Sequence, residues 1–150
     1  MNVDDTIERE VTIAASRGIV WDLVATAGWW IGDDGITANR IEERDSRSVV
    51  IHPTLGEFPL IIEASDRPNR ISYRWAPWDA QQRAEEGTLV EFVLTGPHEG
   101  PTTVRVVESG FRALDLPPEQ LAANYAENSS GWNQELDLLK RHLEGADAQN

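Results

Sequence analysis

The sequence predicts an α+β fold, a curved antiparallel sheet of six to seven strands closed on one face by a single long helix. Three observations carry that prediction. Four segments between residues 57 and 110 alternate apolar and polar side chains over strand-length runs. The C-terminal segment continues one apolar face at helical spacing for about seven turns. The elements come in the order strand, short helix, run of strands, long helix, and an open sheet with one apolar face needs such a helix as its cover. At 150 residues the chain is read as one domain, 1–150, large enough for a single sizeable core.

The first strand is "TIEREVTIAA", in which Ile7, Arg9, Val11 and Ile13 alternate with Glu8, Glu10 and Thr12. Ser16 is placed to cap a short helix, "RGIVWDLVAT", which turns Ile19, Val20, Leu23 and Val24 inward. "AGWWIGDDG" breaks that helix, with Asp33, Asp34 and Gly35 forming a turn. Strands are then expected over Ile36–Glu42, Ser48–His52, Glu57–Ser65, Arg70–Ala76, Gly87–Thr95 and Thr102–Gly110, divided by "RDS", "PTLG", "DRPN", "PWDAQQRAE" and "GPHEGP". Their apolar rows are Phe58, Leu60 and Ile62; Ile71, Tyr73 and Trp75; Val90, Phe92 and Leu94; and Val104 with Val106, continuing to Glu108. Ser72, Arg74, Glu91, Thr103 and Arg105 take the opposite parity, as in a sheet with one solvated face.

The long helix opens at "LDLPPEQL", with Asp115 as its cap and prolines in its first turn. Leu121, Tyr125, Asn128 or Ser129, Trp132, Leu136, Leu139 and Leu143 continue its inner face, and the tail "GADAQN" is expected to fray. Gly131 stands out, because a glycine inside a helix costs on the order of 1 kcal/mol relative to alanine. Either it marks a boundary in "ENSSG", or it lies in a continuous helix and leaves space where a side chain would stand. The continuous helix is preferred.

Composition narrows the function classes. Hydrophobic residues make up 40 % and charged residues 26 % of the chain, as in ordinary soluble domains. No apolar run approaches the roughly 20 residues of a membrane-spanning helix, so no membrane partner is expected. The acidic start "MNVDDTIERE" does not read as a signal peptide, and cytoplasmic location is the default expectation. A net charge of −13, from 13 basic and 26 acidic residues, repels a phosphate backbone, so nucleic acid is not an expected partner. Cysteine is absent, which removes disulfides, thiolate metal sites and cysteine nucleophiles together. His52, His98 and His142 show no metal-ligand spacing, and no phosphate-binding loop or nucleophile motif is present. No metal and no cofactor are expected.

The stretches "IEREVTIAASRGIVWDLV", "GWW", "RISYRW", "TLVEFVL", "VVESGF" and "GWNQELDLLKRHLE" together resemble, in order and spacing, the START/polyketide-cyclase (SRPBCC) superfamily. Within it the chain is similar to the group named after the activator of the ninety-kilodalton heat-shock chaperone's ATPase. The resemblance implies a helix-grip fold with a hydrophobic cavity between sheet and long helix. A hydrophobic or lipid-like small molecule is the implied partner, with a homodimer as an open alternative for the assembly.

Ten residues are candidates for lining that cavity. Trp21, Trp30, Phe58, Tyr73 and Trp75 come from the first half of the chain, and Phe92, Glu108, Tyr125, Asn128 and Trp132 from the second. Trp21, Trp75 and Trp132 are equally well read as plain core. Trp29, Trp30 and Trp78 lie in loop-like segments, where they either rim a pocket mouth or cap the core edge. Glu108 is the candidate catalytic residue, since it shares parity with Val104 and Val106 and must be paired or face a wet cavity. Arg9, inward by the same rule, is its bland partner in an ion pair. The functional alternatives are a polar anchor or a general acid/base, with Tyr125 and Asn128 in the same cluster.

Three functions follow as expectations. The first is a protein that binds an apolar or aromatic ligand, and the second is a cyclase- or hydratase-type enzyme using the same cavity. The third, a co-chaperone stimulating the chaperone ATPase, is the weakest, because the chaperone-binding domain of the namesake activators is not expected in one domain's length.

Overall fold

Seven strands and two helices make up the described residues, which are 6–31, 40–44, 47–52, 56–75, 88–110 and 117–148 of a computed structural model. β1 (Thr6–Ile13) is followed by α1 (Arg17–Val24), β2 (Arg40–Arg44), β3 (Arg47–His52) and β4 (Gly56–Asp66). Then come β5 (Arg70–Trp75), β6 (Leu89–Thr95), β7 (Thr102–Ser109) and α2 (Pro118–Ala148). The strands form one curved antiparallel sheet in the order β1-β7-β6-β5-β4-β3-β2. β2 to β7 run as a meander, and β1 lies along the far side of β7. This is the α+β helix-grip arrangement expected from the alternation and the long apolar helix face.

Alternation explains which side of the sheet is covered. On β7 Thr102, Val104, Val106 and Glu108 are buried, while Arg105 between them is exposed. Register carries that row across the sheet: Val106 stands opposite Phe92, and Phe92 opposite Ile71. One row along, Glu108 stands opposite Val90, and Val90 opposite Tyr73. All of these except Glu108 belong to one hydrophobic core that α2 closes with Trp132, Leu136, Leu139 and Leu143.

The structure departs from the sequence expectation at several points, among them Ile62, expected inward but 45 % exposed where the register of β4 shifts. The strand expected at Ile36–Glu42 is placed at Arg40–Arg44, and residues 32–39, with the Asp33–Asp34–Gly35 turn, lie outside the described residues. So do Trp78 and Asp115. Ile19 is not inward but 49 % exposed, because α1 buries the face made by Val20, Trp21 and Val24. The expected cap does form, with Ser16 in an extended conformation accepting from the Ile19 amide at 3.4 Å. Finally, α2 is helical through Ala148, so the tail is part of the helix and not a frayed end to Ala148.

Gly131 lies inside α2, and a Cβ placed on it would meet nothing within 4 Å. Close helix–strand packing therefore does not account for the glycine.

The edge strand β1 is stitched to α2 by polar side chains. Its outward backbone at Thr6 accepts from the Tyr125 hydroxyl at 3.0 Å, and that at Thr12 accepts from Lys140 Nζ at 2.7 Å. The Ala14 amide donates to Glu144 Oε2 at 2.9 Å. Lys140 also pairs with Glu144 at 2.9 Å, one helical turn on.

Candidate functional site

The turn after α1 drives two indoles into the interior. The Trp29 amide donates to the Thr26 carbonyl at 3.2 Å and the Ile31 amide to the Gly28 carbonyl at 2.9 Å, folding residues 26–31 back on themselves. Gly28 makes this possible. Its φ is 71°, and a Cβ there would lie 2.6 and 2.9 Å from the two Val50 methyl carbons. Only glycine meets both demands without displacement. Trp29 and Trp30 are consequently 3 % and 8 % exposed although they lie outside any regular element.

Trp30 is the hub of an aromatic cluster. Its ring centroid is 5.3 Å from Tyr73, 5.4 Å from Phe92, 5.8 Å from Trp132, 5.9 Å from Trp75 and 6.0 Å from Trp29. Phe92 in turn contacts Trp29 at 5.4 Å, Trp132 at 5.7 Å and Tyr73 at 6.1 Å. The pairs are tilted or edge-on, the geometry that the ring quadrupole favours, worth about 0.5–1.5 kcal/mol per pair beyond burial. Phe58 joins at the periphery, 6.2 Å from Trp75, and both are half-buried. Trp21 is buried on α1 outside this ring cluster.

Glu108 sits against the cluster, 2 % exposed. Oε2 accepts from the Thr88 hydroxyl at 2.7 Å, and Oε1 accepts from Trp132 Nε1 at 2.8 Å. Asn128 Nδ2 lies 3.3 and 3.5 Å from the two oxygens, a long and shared contact. The carboxyl thus ties β7 to the start of β6 and to α2 with neutral donors. Burial raises its pKa above 4.5, and the hydrogen bonds from Thr88, Trp132 and Asn128 oppose that shift without reversing it.

The ion pair expected between Glu108 and Arg9 does not form. Ile7, not Arg9, stands opposite Glu108, and Arg9 is opposite Val106. Two residues along a strand is about 7 Å. Arg9 bonds instead to the Ser129 hydroxyl on α2 and to the Glu8 carbonyl. Tyr125 likewise stays out of the Glu108 cluster, since its hydroxyl is held by Thr6. Asn128 and Trp132 do join it. An open groove of about 450 Å³, lined by Glu8, Arg9, Glu10 and Arg105, lies at β1, on residues outside the aromatic cluster.

Thr88 and Trp29 are the residues that the sequence reading left out of the site. Thr88 carried a signal, the parity it shares with Val90 and Phe92. Trp29 carried the signal of a bulky aromatic in a loop-like segment, which left pocket rim and core edge equally open.

Arranged this way, the interior is a closely packed aromatic cluster with one carboxyl group whose ionised form has no cation beside it among the described residues. Such a carboxyl can accept a further hydrogen bond or exchange a proton.

Comparison with known proteins places this arrangement. The solution structure of the Aha1 dimer from Colwellia psychrerythraea is similar over 93 % of this chain and 96 % of its own, with 19 % identity and a TM-score of 0.62. A solution structure from Thermobifida fusca has 17 % identity and a TM-score of 0.66, covering 93 % of each chain. DynU16, a protein of the dynemicin biosynthetic locus, matches 95 % of this chain but 48 % of its own length, at 21 % identity and a TM-score of 0.64. At these identities the likeness is one of fold. Among curated protein sequences there is no match. The family model described as activator of Hsp90 ATPase homolog 1-like protein matches residues 33–144, and the chain belongs to that family, within the SRPBCC superfamily.

Proposed function

We propose that the protein binds an apolar or aromatic small molecule between sheet and α2, against the rings around Trp30, with Glu108 as the polar anchor. The observation that carries this reading is a buried carboxyl with only neutral donors at the wall of an aromatic interior. A carboxylate placed there for stability alone would be expected to have a cationic partner. The weak Asn128 contact is the position that a ligand hydroxyl or amine takes over. Trp30, Tyr73, Trp75, Phe92 and Trp132 supply the apolar surface. The protein acts in the cytoplasm, as a monomer or a homodimer that sedimentation would distinguish.

The test is a titration with anilinonaphthalene sulfonate and a panel of neutral aromatics, read by tryptophan emission and by melting temperature. Saturable quenching is expected, together with stabilisation of about 2.7 kcal/mol at a hundredfold excess over Kd. Flat responses in both readouts across the panel would remove the proposal.

A second reading, a cyclase- or hydratase-type enzyme, is favoured by the raised pKa of Glu108, which suits a general acid/base. Under that reading Glu108→Gln keeps ligand affinity and loses turnover. Under the binding reading no turnover exists to lose, and affinity for donor-bearing ligands falls.

A further inference from the structure

The seven-stranded sheet has two edges. At one, side chains of α2 take up the outward backbone at both ends of β1. At the other, β2 pairs on one side with β3 and ends the sheet. A strand paired on one side is a template for a further strand unless its side chains guard it.

The guard on β2 is uneven. Ile41 stands opposite the fully buried Val50 and so shares the inner face, while Arg40 and Glu42 point to the outer one. Ile41 is nevertheless 38 % exposed, at the rim of the sheet. The Arg40 side chain is 73 % exposed and pairs with Glu42 along its own strand, an arrangement worth little in water.

A second copy brought antiparallel to β2 by a two-fold axis pairs residues of equal parity, so the residue on the axis fixes the register. With Arg40, Glu42 or Glu43 on the axis, that residue faces its own copy and like charges meet. With Ile41 there, Arg40 stands opposite Glu42 of the second copy, and Glu42 opposite its Arg40. The two Ile41 side chains then meet on the inner face. This register makes two cross-strand ion pairs, covers the exposed apolar side chain and continues the row Phe58, Val50, Ile41 into the second molecule.

We infer that β2 is a homodimerisation edge, occupied by β2 of a second copy, antiparallel and centred on Ile41. The inference is independent of the ligand reading above and gives the homodimer named there a place. Opposite charges two residues apart make the strand complementary to its own antiparallel copy and a poor match for an edge of uniform charge. The ladder is short, so the dimer is weak and reversible, not obligate.

The chain contains no cysteine, so a single introduced thiol reports the register. Opposed residues of an antiparallel pair have Cα atoms about 4.5–5.5 Å apart, within disulfide range. Glu43, on the same face, would stand four residues along from its copy, about 14 Å away. The measurements are made at about 0.15 M salt, where a screening length of about 8 Å damps the repulsion between two chains of charge −13. Under mild oxidant Ile41→Cys should link into dimers at least about tenfold faster than Glu43→Cys. By sedimentation equilibrium, Arg40→Glu and Glu42→Arg should each weaken the dimer Kd at least about tenfold, and the double reversal should recover it to within about threefold. The linking rates decide the matter should a charge reversal disturb β2. Equal linking at 41 and 43 overturns the inference. So does a wild type that stays monomeric to about 1 mM, a dimer unmoved by the single reversals, or a double variant as weak as either single one.

Discussion

Replacing Glu108 by glutamine tests the chemistry of the buried carboxyl through stability alone. Glutamine has nearly the same shape. Its oxygen can accept from Trp132 Nε1, and its amide can donate to the Thr88 hydroxyl, which rotates to receive it. The folded wild type holds a group whose pKa is raised by burial above 4.5. A raised carboxyl binds its proton more tightly in the folded state than in the unfolded one. The stability it contributes is therefore complete below the unfolded pKa and is lost as pH rises through the folded value. The hydrogen bonds set the balance. Two are short, and charge-assisted bonds are worth roughly 1.5–3 kcal/mol each, against several kcal/mol for desolvating the ion. We expect the unfolding free energies of wild type and Glu108→Gln to be close near pH 4.5. Above it the variant should gain on the wild type by up to about 1.4 kcal/mol per pH unit until the folded pKa is passed. Urea titrations followed by tryptophan fluorescence at half-unit pH steps measure the difference curve, in which all other carboxyls cancel. A flat difference from pH 4.5 to 8 would refute the reasoning, and one of the opposite slope would mean that an unrecognised cation stabilises the ion. Glu144, whose pKa is lowered by the Ala14 amide and Lys140, should give the opposite slope when changed to glutamine, but only below pH 4.5, where the wild type loses that stabilisation as pH falls through the folded pKa.

Thr88→Val removes a donor at 2.7 Å from Glu108 and should cost about 1–3 kcal/mol near neutral pH, less at pH 4.5, measured by the same titrations. Gly28→Ala meets both a positive φ and the Val50 methyls, so a loss of at least about 1–3 kcal/mol is expected, with the near-ultraviolet circular dichroism of the Trp29–Trp30 pair altered. Gly131→Ala, in contrast, meets open space within α2 and should raise stability by up to ~1 kcal/mol, read as a higher melting temperature. A destabilised Gly131→Ala would show that the helix needs to bend there.

Legibility in the sequence stopped at different physical limits. The inward rows of β5 to β7 and the burial of Glu108 were readable because side-chain direction alternates along a strand, whereas the row expected at Phe58, Leu60 and Ile62 fails at Ile62, 45 % exposed where the register of β4 shifts. The partner of Glu108 was not. Parity assigns Arg9 and Glu108 to the same face but says nothing of register, and pairing Ile7 with Glu108 puts Arg9 out of reach. Trp30 was legible only as an aromatic in a loop-like segment, at a pocket rim or a core edge, because its inward position depends on a turn built around Gly28 and the contact of that glycine with Val50 on another strand. Asn128 and Trp132 were legible together, since positions four apart on one helix meet the same neighbour.

The stitching of β1 by Tyr125, Lys140 and Glu144 bears on how copies of this chain can meet. An open strand edge recruits further strands, and many β proteins guard it with charge, proline or a bulge. Here the long helix fills the office of an eighth strand, occupying the Thr6 and Thr12 carbonyls and the Ala14 amide with side-chain atoms. A second molecule that continued the sheet through β1 would first have to evict those side chains. A dimer that leaves those contacts in place at the two ends of β1 has the outer surface of α2 or the solvated sheet face to engage there.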